Sequence, residues 1–412
     1  MKILVLNDYF SAIAGGFVVA YNLAMECRRR GHEIAFLTTV QTKAEAGLTY
    51  QDGVPVYKIH TRYPLRFRGV FAIWNPFVFR EFTRIVKEVR PDVIHAHVIH
   101  FYLSHYVLKL AHDLHVPTVL TAHDTMQFCY TRLQDQCSPQ GTARHKARFW
   151  ECWRCQRFRY MPSRNFWLRH YLNTYAAHVI SVSDALKVGL ELNGIKHVQT
   201  IYNGIDPQQY RVTAEQVAAF RAKYQLDGKS VLLFAGRSNP SKGLEHLIRA
   251  MPTILAAHPA ARLLMLTKRD GNTEAALKLA DELGVSAALI VPGWLAGEEL
   301  QSAYAVCEVC VAPSTQFEPL ATVILEAMAW RKPVVGTMVG GTPEMIAHGQ
   351  TGYVVPPRNS AELAAAIIAL LQNQARAREF GEAGYQRIQA KFQLRQQAEQ
   401  ILEAYRQALE KE

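Results

Sequence analysis

The feature that most constrains the fold is an alternation of short apolar runs with amphipathic stretches, found in two series along the 412-residue chain. Runs such as KILVLN at 2–7 and SVLLFAG at 230–236 have the length of buried strands, and the stretches between runs place apolar residues at helical spacing. Strands that alternate with helices build a parallel sheet covered on both faces. The chain is therefore predicted to be an α/β protein.

Two breaks in the alternation divide the chain. The first series occupies residues 1–200, and a second begins after Asn203-Gly204 and occupies 201–392. Residues 125–175 interrupt the first series with an insert rich in Cys, Arg and aromatic residues. We predict two Rossmann-like, doubly wound domains. Because ligands of such sheets bind beyond the carboxyl ends of the strands, the cleft between the domains is the expected site.

Composition narrows the class of protein. Hydrophobic residues make up 49% of the chain, which is enough to build cores and argues against disorder. The apolar runs are short, such as AALIV at 287–291, so no membrane-spanning helix is expected. The first ten residues read as the start of a strand, without a basic leader. These features predict a soluble cytoplasmic protein.

The second half carries a candidate phosphate site. Arg237 and Lys242 lie in GRSNPSKG, just after a predicted strand and at the start of a helix. Two cations beside a helix N-terminus suit a diphosphate. A plain surface turn is the alternative for this segment taken alone.

A second motif follows in EPLATVILE, which spaces Glu318 and Glu326 eight residues apart. The amides of Leu320, Ala321 and Thr322 would be unpaired donors at a helix N-terminus, and Glu326 could accept from two ribose hydroxyls. Each glutamate alone is more often a solvated helix residue. The turn at 340–344, GGTPE, and the loop VPGW at 291–294, which could flank a base, complete the set.

These motifs together resemble the second domain of the retaining glycosyltransferases of family 4, which have the GT-B fold. The matching runs are YNGID (202–206), FAGRSNPSKG (234–243), VPGW, EPLATVILEAMA (318–329), KPVVGT and GGTPEMI. The first half agrees through Gly15-Gly16, RRRGHEIAFLTT (28–39), PDVIHAH (91–97), TAHD (121–124) and ISVSD (180–184). The family usually has Gly where Ala321 stands.

The resemblance implies a metal-independent retaining enzyme that transfers a sugar from a nucleotide-diphosphate donor to a lipid-linked or polysaccharide acceptor. Arg237 and Lys242 would hold the diphosphate and neutralise the leaving group, and Glu318 would bind the donor sugar. His123 would lie near the reaction centre. The family's final helix, here within 393–412, completes the first domain. The remaining implied donor contacts are Glu326 with the ribose, the amides of 320–322, and Gly15 and Gly16 with the diphosphate.

The insert carries its own signal in Cys129, Cys137, Cys152 and Cys155. This spacing can supply four thiolates to a structural zinc ion. A reversible disulfide or four unligated thiols are the alternatives. No cofactor is expected for catalysis.

The net charge of +11 has an uneven source. Residues 206–412 carry 21 basic and 21 acidic side chains, whereas residues 144–170 alone carry eight Lys+Arg, one acidic residue and several aromatics. Cations with aromatics suit an anionic membrane, which predicts peripheral contact with the cytoplasmic membrane face. A solvated basic face is the alternative.

Two further functions fit parts of the sequence. A GT-B nucleotide-sugar epimerase would form product without an acceptor. A basic nucleic-acid-binding protein would show a steep salt dependence with oligonucleotides. Nothing in the strand-end motifs requires nucleic acid, so we expect none as a partner.

Overall fold

A computed structural model describes residues 1–10, 15–131, 146–157 and 160–410, and of Leu65 only the backbone. The described chain forms two compact units. The first contains residues up to Gly204 together with the segment that begins at Leu394, and the second is Ile205–Gln393. The sequence placed these boundaries at 200/201 and 392/393.

The first unit is built on an eight-stranded sheet in the order β3-β4-β2-β1-β5-β6-β7-β8. All its pairs are parallel except β3 with β4, which form an antiparallel hairpin at one edge. The strands are β1 Lys2–Leu6, β2 Glu33–Val40, β3 Gly47–Gln51, β4 Val54–His60, β5 Val93–Ala96, β6 Thr118–Ala122, β7 His178–Ser181 and β8 Val198–Thr200.

The helices of the first unit connect these strands, as a parallel sheet requires. Asn75 caps α3 by accepting from the amide of Phe77, and Ser183 caps α7 by accepting from the amide of Leu186. The helices are α1 Gly15–Arg29, α2 Arg68–Phe71, α3 Pro76–Val89, α4 Tyr106–Asp113, α5 Phe149–Gln156, α6 Arg164–Tyr175 and α7 Asp184–Leu192. Helices α5 and α6 lie in the insert, where the sequence showed no helical period.

The second unit has six parallel strands in the order β11-β10-β9-β12-β13-β14. This is the Rossmann order 3-2-1-4-5-6, so the connections reverse direction between β9 and β12. The strands are β9 Ser230–Ala235, β10 Ala261–Leu266, β11 Leu289–Ile290, β12 Cys307–Ala312, β13 Val334–Thr337 and β14 Gly352–Val355.

The helices of the second unit cover both faces of this sheet, and α9 and α14 pack together over its core. They are α8 Ala214–Lys223, α9 Leu244–Ala257, α10 Gly271–Glu282, α11 Gly297–Val306, α12 Thr322–Ala329, α13 Thr342–Met345, α14 Ser360–Gln372 and α15 Gln374–Lys391. Cys307 and Cys310 are buried in β12, where burial raises the pKa of Cys307 to about 12, so they are core residues.

The last helix, α16 (Leu394–Leu409), belongs to the first unit. Its Ala398, Ile401 and Tyr405 are buried in the same core as β1 and α1. The α/β class is thus confirmed, with two sheets that are parallel except for the β3–β4 hairpin at the edge of the first. Within the described residues, no helix combines the length and apolarity needed to cross a membrane.

Candidate active site

The second unit gathers its predicted site residues where the order of its strands reverses. The loop after β9 carries Lys242 and the loop after β12 carries Glu318, and the two side chains form an ion pair. Both are largely but not fully covered, with 25% and 18% of their side-chain surface exposed. The paired charges therefore remain accessible to a ligand.

Glycines allow these loops to approach one another. Gly243 has φ +71°, and a Cβ at this position would overlap the carbonyl oxygen of Pro313 at the end of β12. Gly340 has φ +52°, and a Cβ there would overlap the carbonyl oxygen of Glu318. Gly341 donates its N–H to that same oxygen at 2.9 Å. The loops after β9, β12 and β13 thus converge around Glu318.

Helix α12 follows the Glu318 loop directly. Its N-cap residue is Ala321, whose side chain offers no capping acceptor. The backbone amides of Leu320, Ala321 and Thr322 make no hydrogen bond with any described residue. They form a set of donors beside the ion pair, suited to an anion or to sugar oxygens.

Glu326 lies one turn into α12 and is held by a tyrosine. The hydroxyl of the fully buried Tyr304, on α11, donates to Glu326 Oε2. Burial raises the pKa of Glu326 above its usual range, and the Tyr304 hydrogen bond opposes that shift. Because Tyr304 engages one oxygen, the carboxylate keeps acceptor capacity for a ligand hydroxyl.

Two further predicted site residues of the second unit are exposed. The Arg237 side chain, just past β9, makes no hydrogen bond or ion pair within the described chain. Trp294, in the VPGW loop, is 44% exposed. Each is available to a ligand.

In the first unit, the N-terminus of α1 packs against His123. A Cβ on Gly16 would lie 3.2 Å from Val98 Cγ2 and 3.7 Å from His123 Cγ. No atom lies within 4 Å of the corresponding position on Gly15. The helix N-terminus predicted to bind the diphosphate and the imidazole predicted to lie near the reaction centre are therefore neighbours.

His123 belongs to a buried histidine chain that the sequence did not reveal. His97 Nδ1 and His123 Nε2 share a hydrogen bond of 2.8 Å, and the centroid of the His95 ring lies 4.0 Å from that of the His97 ring, with the two rings tilted by 37°. His95 in turn bonds to the Tyr405 hydroxyl at 2.6 Å and to Thr121 at 2.7 Å. Burial lowers the pKa of His123 to about 4 and that of His95 to about 3, so these imidazoles are neutral near pH 7.

Asp8 is a further buried group that sequence reasoning missed. It follows β1 and is fully buried, and its carboxylate accepts from the amides of Phe101 at 2.6 Å, Tyr102 at 3.0 Å and Leu103 at 2.8 Å. Desolvation raises the pKa of Asp8 to about 7, against the lowering effect of these amides. Asp8 thus holds the loop after β5 in place.

The cysteines of the insert lie near one another around Thr131. The Thr131 hydroxyl is 3.7 Å from Cys129 Sγ and 3.8 Å from Cys155 Sγ. Burial, reinforced by Cys129 and Cys155, raises the pKa of Cys152 to about 11. Cys137 lies outside the described residues, and the described part of the chain holds no group of three or more potential metal ligands in metal-binding geometry.

Comparisons with known proteins identify the class. A family model for glycosyl transferases group 1 matches residues 216–387, and one for glycosyltransferase family 4 matches residues 13–209. An uncharacterized glycosyltransferase of Methanocaldococcus jannaschii is 30% identical over 390 residues, which span 90% of each chain. The chain therefore belongs to the family 4 glycosyltransferases.

Solved structures support the fold. Sucrose-phosphate synthase from Thermosynechococcus elongatus superposes with a TM-score of 0.80 at 21% identity, with full coverage of both chains. The Anabaena protein HepE, solved with UDP and glucose, superposes with a TM-score of 0.74 at 20% identity over 98% of each chain. Both are similar in fold to this chain, which has the GT-B architecture.

Proposed function

We propose that this glycosyltransferase takes its sugar from a nucleotide-diphosphate donor bound by the second unit. The observation that carries the proposal is the convergence of Arg237, the Lys242–Glu318 pair and the α12 amides at the strand reversal. Two cations and a row of amide donors suit a diphosphate, and Glu326 suits the ribose hydroxyls. The binding of UDP and glucose by the Anabaena neighbour supports this assignment.

In this proposal, Arg237 and Lys242 neutralise the negative charge that builds on the departing nucleotide. Glu318 and the amides of residues 320–322 orient the donor sugar. From the first unit, the amides of Gly15 and Gly16 approach the diphosphate, and His123 lies near the donor sugar and the reaction centre.

The proposed reaction retains the anomeric configuration. The acceptor oxygen attacks the anomeric carbon from the face that the diphosphate leaves, and a departing phosphate oxygen takes the acceptor proton. The engagement of both site glutamates supports this mechanism. Glu318 pairs with Lys242 and Glu326 with Tyr304, so neither is poised as a nucleophile. Since the two cations supply the charge, omission of Mg²⁺ and Mn²⁺ from the assay should leave transfer unchanged.

The proposed acceptor is either a membrane-associated, lipid-linked sugar or a polysaccharide, and we propose peripheral contact of the protein with the cytoplasmic membrane face. The exposed cations and aromatics of the insert support this assignment.

For Cys129, Cys137, Cys152 and Cys155 we propose a structural zinc ion. Metal analysis of the purified protein tests it, and a zinc-free protein would contradict it.

Two experiments test the donor. A thermal-shift screen of UDP-, GDP- and ADP-sugars should raise the Tm with one base, because a ligand that binds the folded state stabilises it. The double variant Arg237→Ala, Lys242→Ala should lose that shift and the transfer activity. Retained transfer in the double variant would overturn the assignment.

The configuration of the product, read from the NMR coupling of its anomeric proton, tests retention.

A further inference from the structure

Exposed apolar side chains of the first unit are concentrated in two segments, residues 62–80 and 146–169. Of the fifteen large hydrophobic side chains exposed in the described chain, nine belong to these segments. Such concentration is unusual on a soluble surface and marks an interaction site. The nine are Phe67, Val70, Trp74, Phe77, Phe149, Trp150, Trp153, Phe166 and Trp167.

Exposed cations are interspersed with these side chains along both segments. Residues 62–80 contain no acidic residue, and residues 146–169 contain one, Glu151. The exposed cations of the two segments are Arg62, Arg66, Arg80, Lys146, Arg148, Arg154, Arg157 and Arg169. We name the exposed side chains of the two segments the aromatic–basic surface.

The two segments are joined in space near α2 and α5. Arg68, in α2, donates to the backbone carbonyl of Tyr130 at 3.0 Å. The ring of Tyr130 lies 5.8 Å from that of Tyr160, which lies 5.4 Å from that of Phe149 on α5. The first segment therefore borders the helix that carries the most exposed tryptophan.

A second row of rings joins the segments across α3, α4 and α6. The ring of Trp74 contacts Phe79 at 5.6 Å, which stacks on Tyr106 at 4.6 Å. Tyr106 meets Tyr171 at 5.9 Å, and Tyr171 meets Trp167 at 6.0 Å. These two connections, which run through buried and partly buried rings, place the two segments beside one another in the first unit.

We propose that the aromatic–basic surface docks the protein on an anionic lipid bilayer. Trp and Phe are the side chains that favour the headgroup level of a membrane, and the surrounding cations complement anionic lipids. Trp150 is 70% exposed on a two-turn helix, a geometry that inserts a ring into a bilayer more readily than it lines a groove for stacked bases. The proposal deepens the membrane-associated acceptor of the proposed function and rests on it for its biological role.

The test is co-sedimentation of the full chain with vesicles of phosphatidylcholine alone or mixed equally with phosphatidylglycerol. The wild type should bind the mixed vesicles and lose binding in high salt, since salt screens exposed charges. Arg148→Gln with Arg154→Gln should weaken the partition roughly 30-fold, because each cation near the surface contributes about fivefold. Trp150→Ser with Trp153→Ser should weaken it roughly tenfold through lost apolar contact.

The first segment supplies the decisive variant. Phe67→Ser with Phe77→Ser should also weaken binding roughly tenfold, because both segments form one surface. The matched control is Tyr50→Ser, which removes an aromatic that is 68% exposed on edge strand β3 of the same unit. It should bind like the wild type. Circular dichroism melts should show that all variants fold.

Any one of four results would overturn the proposal, and the first three concern vesicle binding. They are equal binding to both vesicle types, loss of binding in Tyr50→Ser, and wild-type binding in the Phe67, Phe77 variant. Preferential binding of a single-stranded oligonucleotide over mixed vesicles would also overturn it. The thermal shift with nucleotide sugars, measured on the same variants, should be unchanged. Failure of docking and failure of donor binding are thereby distinguished.

Discussion

At the scale of single residues, His97 is the group most directly placed to control His123. Its Nδ1 bonds to His123 Nε2, while its own Nε2 is buried without a partner in the described chain. Because orphaned buried N–H groups are rare, the His97 proton belongs on Nδ1. His97 then donates to His123, which must keep its own proton on Nδ1 and can offer it to a ligand oxygen.

His97→Ala should therefore remove the hydrogen bond that orients His123 without removing any proposed contact with the donor. We expect kcat for transfer to fall about tenfold, in line with the loss of one buried hydrogen bond, with little change in donor KM. His97→Asn, which keeps a donor, should recover part of the rate. A purely structural role predicts instead that both variants lose stability and activity in parallel. Steady-state kinetics with thermal melts separates the two outcomes.

Asp8 gives the first unit a predictable pH dependence. Its folded pKa, raised to about 7, lies above the ordinary value of 3.8, so between these values the folded chain holds a proton that the unfolded chain has lost. The contribution of Asp8 to the free energy of unfolding of the first unit should therefore be greatest below about pH 4. It should fall by up to about 4 kcal/mol as the pH rises from about 4 to about 7.

Asp8→Asn should remove that pH dependence. The neutral amide cannot titrate, and its NH2 group would face one of the three backbone amides, which costs about 1–3 kcal/mol. Urea unfolding of the first unit, followed at several pH values, measures both effects. A variant whose stability still declines between about pH 4 and 7 would show that another group is responsible.

At the scale of elements, the turn that follows β13 holds the Glu318 loop. In Gly340→Ala, the new Cβ would overlap the Glu318 carbonyl oxygen, so the loop must shift. We expect donor affinity to fall at least roughly tenfold, since a displaced loop misplaces Glu318 and the α12 amides. Calorimetric titration with the identified nucleotide sugar measures the loss.

Gly349→Ala is the matched control for this substitution. Gly349 also has a left-handed backbone, with φ +73°, but nothing lies within 4 Å of its Cβ position. Both variants should have a similar backbone strain of about 1 kcal/mol, but only in Gly340→Ala does the new Cβ overlap the Glu318 carbonyl oxygen. Equal losses of affinity in the two variants would mean that backbone strain, not contact with Glu318, is decisive.

The elements also show what the sequence could predict. Strands β1, β9 and β12 are near-continuous apolar runs, so their pattern alone located them. The hairpin β3–β4 was missed although Asp52-Gly53, both with positive φ, is a typical turn signal. Its strand β3 is exposed along its whole length, so it lacks the apolar pattern of a buried strand.

In the candidate site, too, the sequence indicated residues that stand in local motifs but not their distant partners. Arg237, Lys242, Glu318 and Glu326 were predicted from motifs of the second unit and from the family resemblance that these motifs carry. Their partners could not be found in this way. Tyr304 reaches Glu326 from 22 residues away, and Tyr405 reaches His95 from 310 residues away. Such contacts depend on tertiary packing, which local spacing does not encode.

At the scale of the whole molecule, the chain leaves the first unit at Gly204 and returns to it at Leu394. Two successive helices therefore stabilise different units. Ile388, on α15, is fully buried in the second unit, and Ile401, on α16, is buried in the core of the first. Sequence distance between these two isoleucines is small, but they should report on separate unfolding transitions.

Ile401→Ala should destabilise the first unit by about 2–5 kcal/mol, the usual cost of truncating a buried isoleucine, and leave the second unit unchanged. Ile388→Ala should do the reverse. Thermal unfolding with and without nucleotide sugar assigns the transitions, because a donor bound by the second unit raises the Tm of that unit. If both substitutions lowered one shared transition equally, the units would unfold as a single cooperative body, and α16 would be as much a part of the second unit's stability as of the first.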